Sequence, residues 1–143
     1  MRKNLGLLTA MSIGDAFGRS FEFATKDKIN PDLDLTVYHP SVGKYSESYK
    51  GGIGKYTDDT QMAIAMAEHM LADKAFTADA YAESLIEAFE RDKRDGYSRR
   101  FLDILNKSYN AQTFQHNIGV QKPRNSNGSV IRCLPLGLYP DVN

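Results

Sequence analysis

Two adjacent acidic residues, Asp58 and Asp59, lie between a glycine-rich stretch and a segment rich in Ala and Met. Neighbouring carboxylates that converge on one site disfavour each other's ionised form unless a positive charge lies between them. A divalent cation supplies that charge, and Mg²⁺ prefers hard oxygen ligands. Thr57 and Thr60 add hydroxyl oxygens on either side of the pair. The stretch therefore indicates part of a magnesium site.

The same residues also have a purely structural interpretation. Asp58 is followed three residues later by Gln61, which is the spacing of a capping box at the start of a helix. A carboxylate in the first turn also interacts favourably with the helix dipole. Capping and cation binding both stay open from these residues alone, because a cap explains one aspartate and leaves the second unexplained.

Two further stretches carry side chains of functional interest. In residues 14–23, GDAFGRSFEF, Asp15 lies within an apolar helical segment and needs a hydrogen-bonding or charged partner. Glu22, just after that segment, is either solvated or a general base near a metal. In residues 124–129, RNSNGS, asparagine and glycine favour a turn. Its backbone N–H groups can hold a phosphate, and a plain turn is an equal alternative.

The elements that position these residues are predicted to be helical. Periodic apolar residues predict helices at about residues 3–18, 58–73, 77–96 and 98–107. In the second helix, Met62, Met66 and Met70 recur every four residues, which is typical of a stripe that packs into a core. Residues 30–56 are rich in Pro, Gly, Ser and Tyr and predict a long irregular loop, while the polar residues 108–128 predict a second loop with at most one helical turn.

Length and composition predict one mostly α-helical domain, residues 1–143. Hydrophobic residues make up 41% of the chain, and eighteen basic residues balance eighteen acidic ones. A neutral chain lacks the basic surface that nucleic acid or an anionic membrane requires, so neither partner is expected. No apolar run reaches the length of a membrane span, and the first residues lack the features of a signal peptide, so we expect a cytoplasmic protein.

Other residue types add no candidate site. Cys133, the single cysteine, is expected to be a small buried apolar residue and not a nucleophile. His39, His69 and His116 have no spacing typical of a zinc site, and each is expected to lie at the surface or in ordinary packing. The sequence has no P-loop motif, so a phosphate site here would be of another kind.

Three motifs, taken in order, resemble those of the ADP-ribosylglycohydrolase family, named after the dinitrogenase-reductase-activating glycohydrolase. They are G-D-A-x-G with a glutamate seven residues after its aspartate, then T-D-D-T, then N-G-S-x-x-R-x-x-P-L-G-L. In this chain they fall at Asp15 with Glu22, at residues 57–60 and at residues 127–138. The pair at residues 96–97 resembles the family's G-Y element, and the resemblance covers nearly the whole chain.

The resemblance implies an all-α fold that binds two Mg²⁺ ions and cleaves the bond joining ADP-ribose to a protein side chain or related acceptor. It implies that Thr57, Asp58 and Asp59 are metal ligands and that Glu22 is the catalytic residue, which helps to activate water or the ribose beside the metals. The ADP-ribose-binding residues that it implies are Ser126, Asn127, Gly128, Ser129 and Tyr97. The expected ligand is ADP-ribose or an ADP-ribosylated protein.

Family members also carry an acidic D-x-D-T motif near their C-terminus, which completes the metal site, and they are much longer than this chain. No second motif of this form follows residues 57–60, so the chain resembles the N-terminal portion of the family fold. A second copy or another chain could supply the remaining ligands, so a homo-oligomer or a protein partner is expected. Alternatively, the chain binds ADP-ribose or a protein without hydrolysis, as a decoy or inhibitor, or its fold and function have changed.

Overall fold

The computed structural model describes residues 6–43, 52–121 and 127–138. Over these ranges the chain forms helices and no strand, which confirms the predicted all-α fold. The α-helices are α1 (Leu7–Gly18), α2 (Asp58–Leu71), α3 (Ala78–Arg91), α4 (Arg99–Lys107), α5 (Ala111–Gly119) and α6 (Gly128–Ile131). Short 3₁₀ helices span Arg19–Phe21, Lys26–Lys28 and Leu134–Leu138. No helix in the described part of the chain has the length and apolar character needed to cross a membrane.

Helix α2 lies at the centre of the fold. It packs against α1, α3, α6 and the last 3₁₀ helix, and α3 in turn packs against α5. Met62 and Met66 are buried, so the predicted methionine stripe does face the core, although Met70 is only half-buried. The other large residues of the core cluster come from α3, α4 and α5, namely Leu85, Ile86, Phe89, Ile104, Leu105 and Phe114. Because α2 is packed on several sides, the residues at its start cannot shift easily.

Helix α3 begins where the sequence predicts and ends earlier. The side chain of Thr77 accepts a hydrogen bond from the N–H of Ala80 at 3.2 Å, so Thr77 caps the helix as expected. The last helical residue is Arg91, because Asp92 adopts φ −156° and ψ 87° and leaves the helical conformation. Residues 92–98 therefore form a connection that returns to the start of α2.

Helix α5 was not predicted, and the prediction of a loop at residues 108–128 is wrong over this segment. The side chain of Asn110 accepts a hydrogen bond from the N–H of Thr113 at 2.9 Å, and Thr113 Oγ1 accepts one from the N–H of Asn110 at 3.2 Å. This is a capping box with Thr in the position where Glu or Gln is usual. Ala111 and Phe114 are buried against α3 and α4, and this burial stabilises a helix that is polar elsewhere.

The expectation that Cys133 is buried is also wrong. Helix α6 ends at Ile131, and a 3₁₀ helix containing Pro135 follows, so the apolar segment does not continue as one helix. This break turns Cys133 outward, where it is exposed and its Sγ–H donates to the carbonyl oxygen of Ser129 at 2.9 Å. Pro135 is the buried residue of this segment.

Candidate active site at the start of helix α2

Helix α2 begins beside a carboxylate that helix α1 supplies. The backbone N–H of Thr57 donates to Oδ2 of Asp15 at 2.8 Å, and its hydroxyl donates to Oδ1 at 2.7 Å. The N–H and the hydroxyl of Thr60 both donate to Oδ2, at 3.2 and 2.6 Å. Asp15 thus takes over the capping role, since Thr57, the N-cap residue, makes no cap bond with its own side chain. The prediction that Asp15 needs a hydrogen-bonding or charged partner is confirmed.

The capping box predicted from Asp58 and Gln61 is not formed. The N-cap residue is Thr57, and Asp58 is the first residue of the helix. Gln61 is buried and points to α3, where its amide nitrogen donates to the carbonyl oxygen of Ala88 at 3.1 Å. Its amide oxygen accepts from the hydroxyl of Tyr97 at 2.8 Å. The paired aspartates are therefore not explained by the cap that their sequence suggests.

Several carboxylates crowd the start of α2. Burial raises the pKa of Asp58 to about 7, and the negative charges of Asp59 and Asp15 add to this effect. Burial also raises the pKa of Asp59, with further contributions from Asp15 and Glu22, whereas the positive charge of Arg132 opposes the change. Such a group of like charges disfavours ionisation until a cation neutralises it.

Glu22 lies at the point where the chain leaves helix α1. It follows the 3₁₀ helix that extends α1, and its extended backbone, with φ −58° and ψ 126°, ends that helix. A loop passes close beside it, because the N–H of Val42 donates to the carbonyl oxygen of Ser20 at 2.8 Å. A Cβ atom on Gly43 would collide with the carbonyl oxygen of Glu22, so this approach requires glycine. The side chain of Glu22 is exposed and contributes to the raised pKa values of Asp58 and Asp59.

The turn after α3 packs against the first residue of α2. The N–H of Asp58 donates to the carbonyl oxygen of Asp95 at 2.9 Å. Gly96 has φ +105°, and a Cβ atom there would overlap Oδ1 of Asp58, so only glycine allows this packing. Tyr97 is half-buried, and its hydroxyl is engaged by Gln61. Burial and then the charge of Asp58 raise the pKa of Tyr97, which keeps the hydroxyl in its neutral form.

The predicted ADP-ribose-binding turn lies near this site, with one residue, Ser126, outside the described residues. Asn127 is the N-cap residue of α6, and both Asn127 and Ser129 are exposed. A Cβ atom on Gly128 would lie 3.9 Å from the Cε atom of Met62, which is one helical turn after Asp58. The structure thus brings the turn of α6 against the first turns of α2.

Arg132 links this turn to the acidic residues, although the sequence analysis assigned it no role. Its Nε donates to the carbonyl oxygen of Gly128 at 2.9 Å, and its guanidinium lies over the ring of Phe101, 5.2 Å from the centroid. Its charge is the one that opposes the raised pKa of Asp59. Its position four residues after Gly128, one helical turn further along, was the feature of the sequence that could have indicated this contact.

A profile of the ADP-ribosylglycohydrolase family matches residues 1–142 of this chain. The chain belongs to the ADP-ribosylglycohydrolase family. This confirms the resemblance that the three sequence motifs carried. The first two of those motifs meet in space, because Asp15 of the first holds Thr57 and Thr60 of the second.

Two relatives of this chain are named as hydrolases. The chain is 29% identical over 140 residues to ADP-ribosylarginine hydrolase Tri1 of Pseudomonas putida (strain GB-1), which covers 94% of this chain and 35% of that protein. It is 28% identical over 143 residues to ADP-ribosylarginine hydrolase Tri1 of Serratia proteamaculans (strain 568), which covers 96% of this chain and 36% of that protein. The chain therefore spans about a third of the length of these relatives. No solved structure matches it significantly.

The donor atoms at the start of α2 suit Mg²⁺ in kind. Asp58 and Asp59 offer carboxylate oxygens and Thr57 offers a hydroxyl, and Mg²⁺ is commonly held by one or two carboxylates together with water. Within the ranges that the structure describes, no three His, Cys, Asp or Glu side chains form a group that could hold a metal ion. These residues fit a site in which water, substrate or further ligands complete the coordination.

Proposed function

We propose that this chain carries the cation- and ADP-ribose-binding part of a hydrolase that releases ADP-ribose from a protein side chain. The observation that carries this proposal is the grouping of carboxylates at the start of α2, close to the turn of α6. Like charges that are held together at a cost to ionisation are typical of functional sites. Membership of the ADP-ribosylglycohydrolase family supports the reaction class.

We propose that Mg²⁺ is the cation and that Thr57, Asp58 and Asp59 hold it. When bound, the ion would orient ribose hydroxyls and lower the pKa of a coordinated water. The protein contributes two carboxylates whose positions are fixed by α2 and by the turn after α3. The pKa of Asp58, raised to about 7, means that binding of a cation releases protons in the neutral range, so cation affinity is expected to increase with pH. The pKa of Asp59 is raised as well.

Glu22 is the residue that we propose to assist the proton transfer. Unlike Asp15, whose two oxygens accept hydrogen bonds from the start of α2, Glu22 has an exposed side chain that a substrate and water can reach. A carboxylate there can take a proton from water or a ribose hydroxyl as the glycosidic bond breaks. Its charge contributes to the raised pKa values of Asp58 and Asp59, which supports its place beside the aspartate pair.

The turn that precedes α6 is proposed to bind the ADP-ribose moiety. Asn127 and Ser129 are exposed there and can donate or accept hydrogen bonds, and we propose that Ser126 and Gly128 contribute with them. We propose that the ring of Tyr97 also lines the site. As acceptor we propose the side chain of arginine, which the names of the two relatives support.

The decisive experiment measures release of free ADP-ribose from an ADP-ribosylated arginine substrate, with Mg²⁺ and with a chelator. We expect release that depends on Mg²⁺ and falls by about 100-fold or more in Asp59→Asn. Asp79→Asn is the matched control, since Asp79 is an exposed aspartate in the first turn of α3 and its replacement should leave the rate unchanged. Absence of release with Mg²⁺ would contradict hydrolysis, and ADP-ribose binding without release would favour a non-catalytic binding protein.

A further inference from the structure

The hydrogen bonds that Asp15 accepts serve two different purposes. Two of them come from the backbone N–H groups of Thr57 and Thr60, which are unsatisfied donors at the start of a helix, and these bonds cap α2. The other two come from the hydroxyls of the same residues, at 2.7 and 2.6 Å. A hydroxyl is not one of the helix donors that a cap must satisfy, so the cap does not explain these two short bonds.

The direction of the bond from Thr57 has a chemical consequence. A threonine hydroxyl has one proton and two lone pairs, and the proton of Thr57 is donated to Oδ1 of Asp15. Both lone pairs of that oxygen remain for another partner. A cation requires a lone pair from its ligand, and a proton directed at it would repel it. The buried hydroxyl of Thr57 is thus prepared to act as a cation ligand next to Asp58.

We propose that Asp15 is a positioning residue for the cation site: it takes the hydroxyl proton of Thr57 and leaves the oxygen lone pairs of Thr57 for the ion. The inference rests on the proposed function, in which Thr57 binds the cation together with Asp58 and Asp59. Asp15 does not touch the ion in this arrangement. It acts through Thr57, and it joins α1 to α2 by the same set of bonds.

Asp15→Asn should separate the capping of α2 from the orientation of the Thr57 hydroxyl. Its amide oxygen, in the position of Oδ2, can still accept the two backbone bonds and the bond from the hydroxyl of Thr60. Its amide nitrogen, in the position of Oδ1, is a donor and cannot accept the proton of Thr57. The hydroxyl of Thr57 must then accept a bond and direct its proton elsewhere. Asp15→Asn therefore keeps most of the cap and reverses the polarity of the proposed ligand.

The test is titration of the full chain with Mn²⁺, followed by electron paramagnetic resonance in the absence of substrate. We expect Asp15→Asn and Thr57→Val each to weaken Mn²⁺ binding by about 10- to 100-fold, the usual range for partners of metal ligands. Thr60 is not among the proposed ligands, although its hydroxyl was a candidate from the sequence alone. Thr60→Val is therefore the matched control, because it also removes one buried hydroxyl bond to Asp15. Its Mn²⁺ affinity should stay within about twofold of the wild type, while its melting temperature without metal falls about as much as that of Thr57→Val.

The double variant Asp15→Asn/Thr57→Val should bind Mn²⁺ only slightly more weakly than Thr57→Val alone, because the main effect of Asp15 passes through Thr57 and only the loss of its charge remains. Equal affinity of the wild type and Asp15→Asn would overturn the role of Asp15 and leave the proposed function intact. A wild-type chain that binds no Mn²⁺ would overturn the cation site and this inference with it. If Asp15→Asn does not fold, the comparison of Thr57→Val with Thr60→Val decides, and equal affinities of those two variants overturn the inference.

Discussion

Both ends of helix α2 bury polar side chains that form hydrogen bonds, but the N-terminal end also brings several carboxylates together. His69 is 1% exposed, its Nδ1 lies 3.0 Å from the hydroxyl of Ser84, and its Nε2 lies 3.2 Å from the carbonyl oxygen of Ala75. Because a carbonyl only accepts, Nε2 donates to Ala75, while the hydroxyl of Ser84 lies within hydrogen-bonding distance of both Nδ1 and the carbonyl oxygen of Ala80. Lys74 donates to the same hydroxyl at 3.2 Å and forms an ion pair with Glu87 at 3.0 Å.

The N-terminal end gathers groups that oppose one another. The pKa of Asp58 is raised to about 7 by burial and by the neighbouring aspartates, so its ionised form costs free energy in the folded chain. Burial of a polar group therefore does not by itself indicate function. At His69 every polar atom has a partner and the network joins α2 to α3. At Asp58 the neighbouring carboxylates raise the pKa, and a cation would supply a charge that offsets them.

Gly96→Ala should disturb the N-terminal end most strongly. The new Cβ atom would overlap Oδ1 of Asp58 and lie 2.9 Å from Cβ of Thr57, and alanine disfavours φ +105°. We expect the free energy of unfolding to fall by about 4 kcal/mol, as the sum of backbone strain and overpacking. Urea denaturation measures it. Gly119→Ala is the control, because no atom lies within 4 Å of a Cβ there. Equal stability of the two variants would show that the turn can move away from Asp58.

His69→Ala tests the satisfied end. It removes a buried ring together with its hydrogen bonds to the hydroxyl of Ser84 and the carbonyl of Ala75, so we expect a loss of about 3 kcal/mol in the free energy of unfolding. Mn²⁺ affinity of the folded chain should not change, because the site lies at the other end of α2. A clear loss of cation affinity at a temperature where the variant is folded would show that the two ends of α2 are coupled.

Asp58→Asn should increase the free energy of unfolding, in contrast to the two preceding variants. A carboxyl with a raised pKa keeps its proton in the folded state between about pH 4 and pH 7, where the unfolded chain has released it, so stability falls as pH rises. Without divalent cations, we expect the variant to be more stable than the wild type by about 2 kcal/mol above pH 7 and equally stable near pH 4. Urea denaturation across this range, with chelator, measures it. A wild-type stability that does not decrease with pH would contradict the raised pKa.

Much of the helical framework could be predicted from the sequence. The methionine spacing placed α2, and Thr77 marked the start of α3, because apolar periodicity and capping side chains are local signals. Helix α5 was not predicted because its cap uses Thr113 and because its helical state depends on the burial of Phe114 against other helices. The exposed position of Cys133 likewise depends on the break at the end of α6.

The sequence by itself determined which residues carry chemistry: the acidic pair at residues 58 and 59, Asp15, Glu22 and the turn at Asn127 are all visible as residue types in fixed motifs. Only the tertiary structure decided what each one contacts. Asp15 caps the helix, and not the predicted pair of Asp58 and Gln61, because α1 packs against α2 and brings that carboxylate to the first turn. A motif records which donors and acceptors exist, whereas their pairing depends on helices that are distant in sequence and packed together in space.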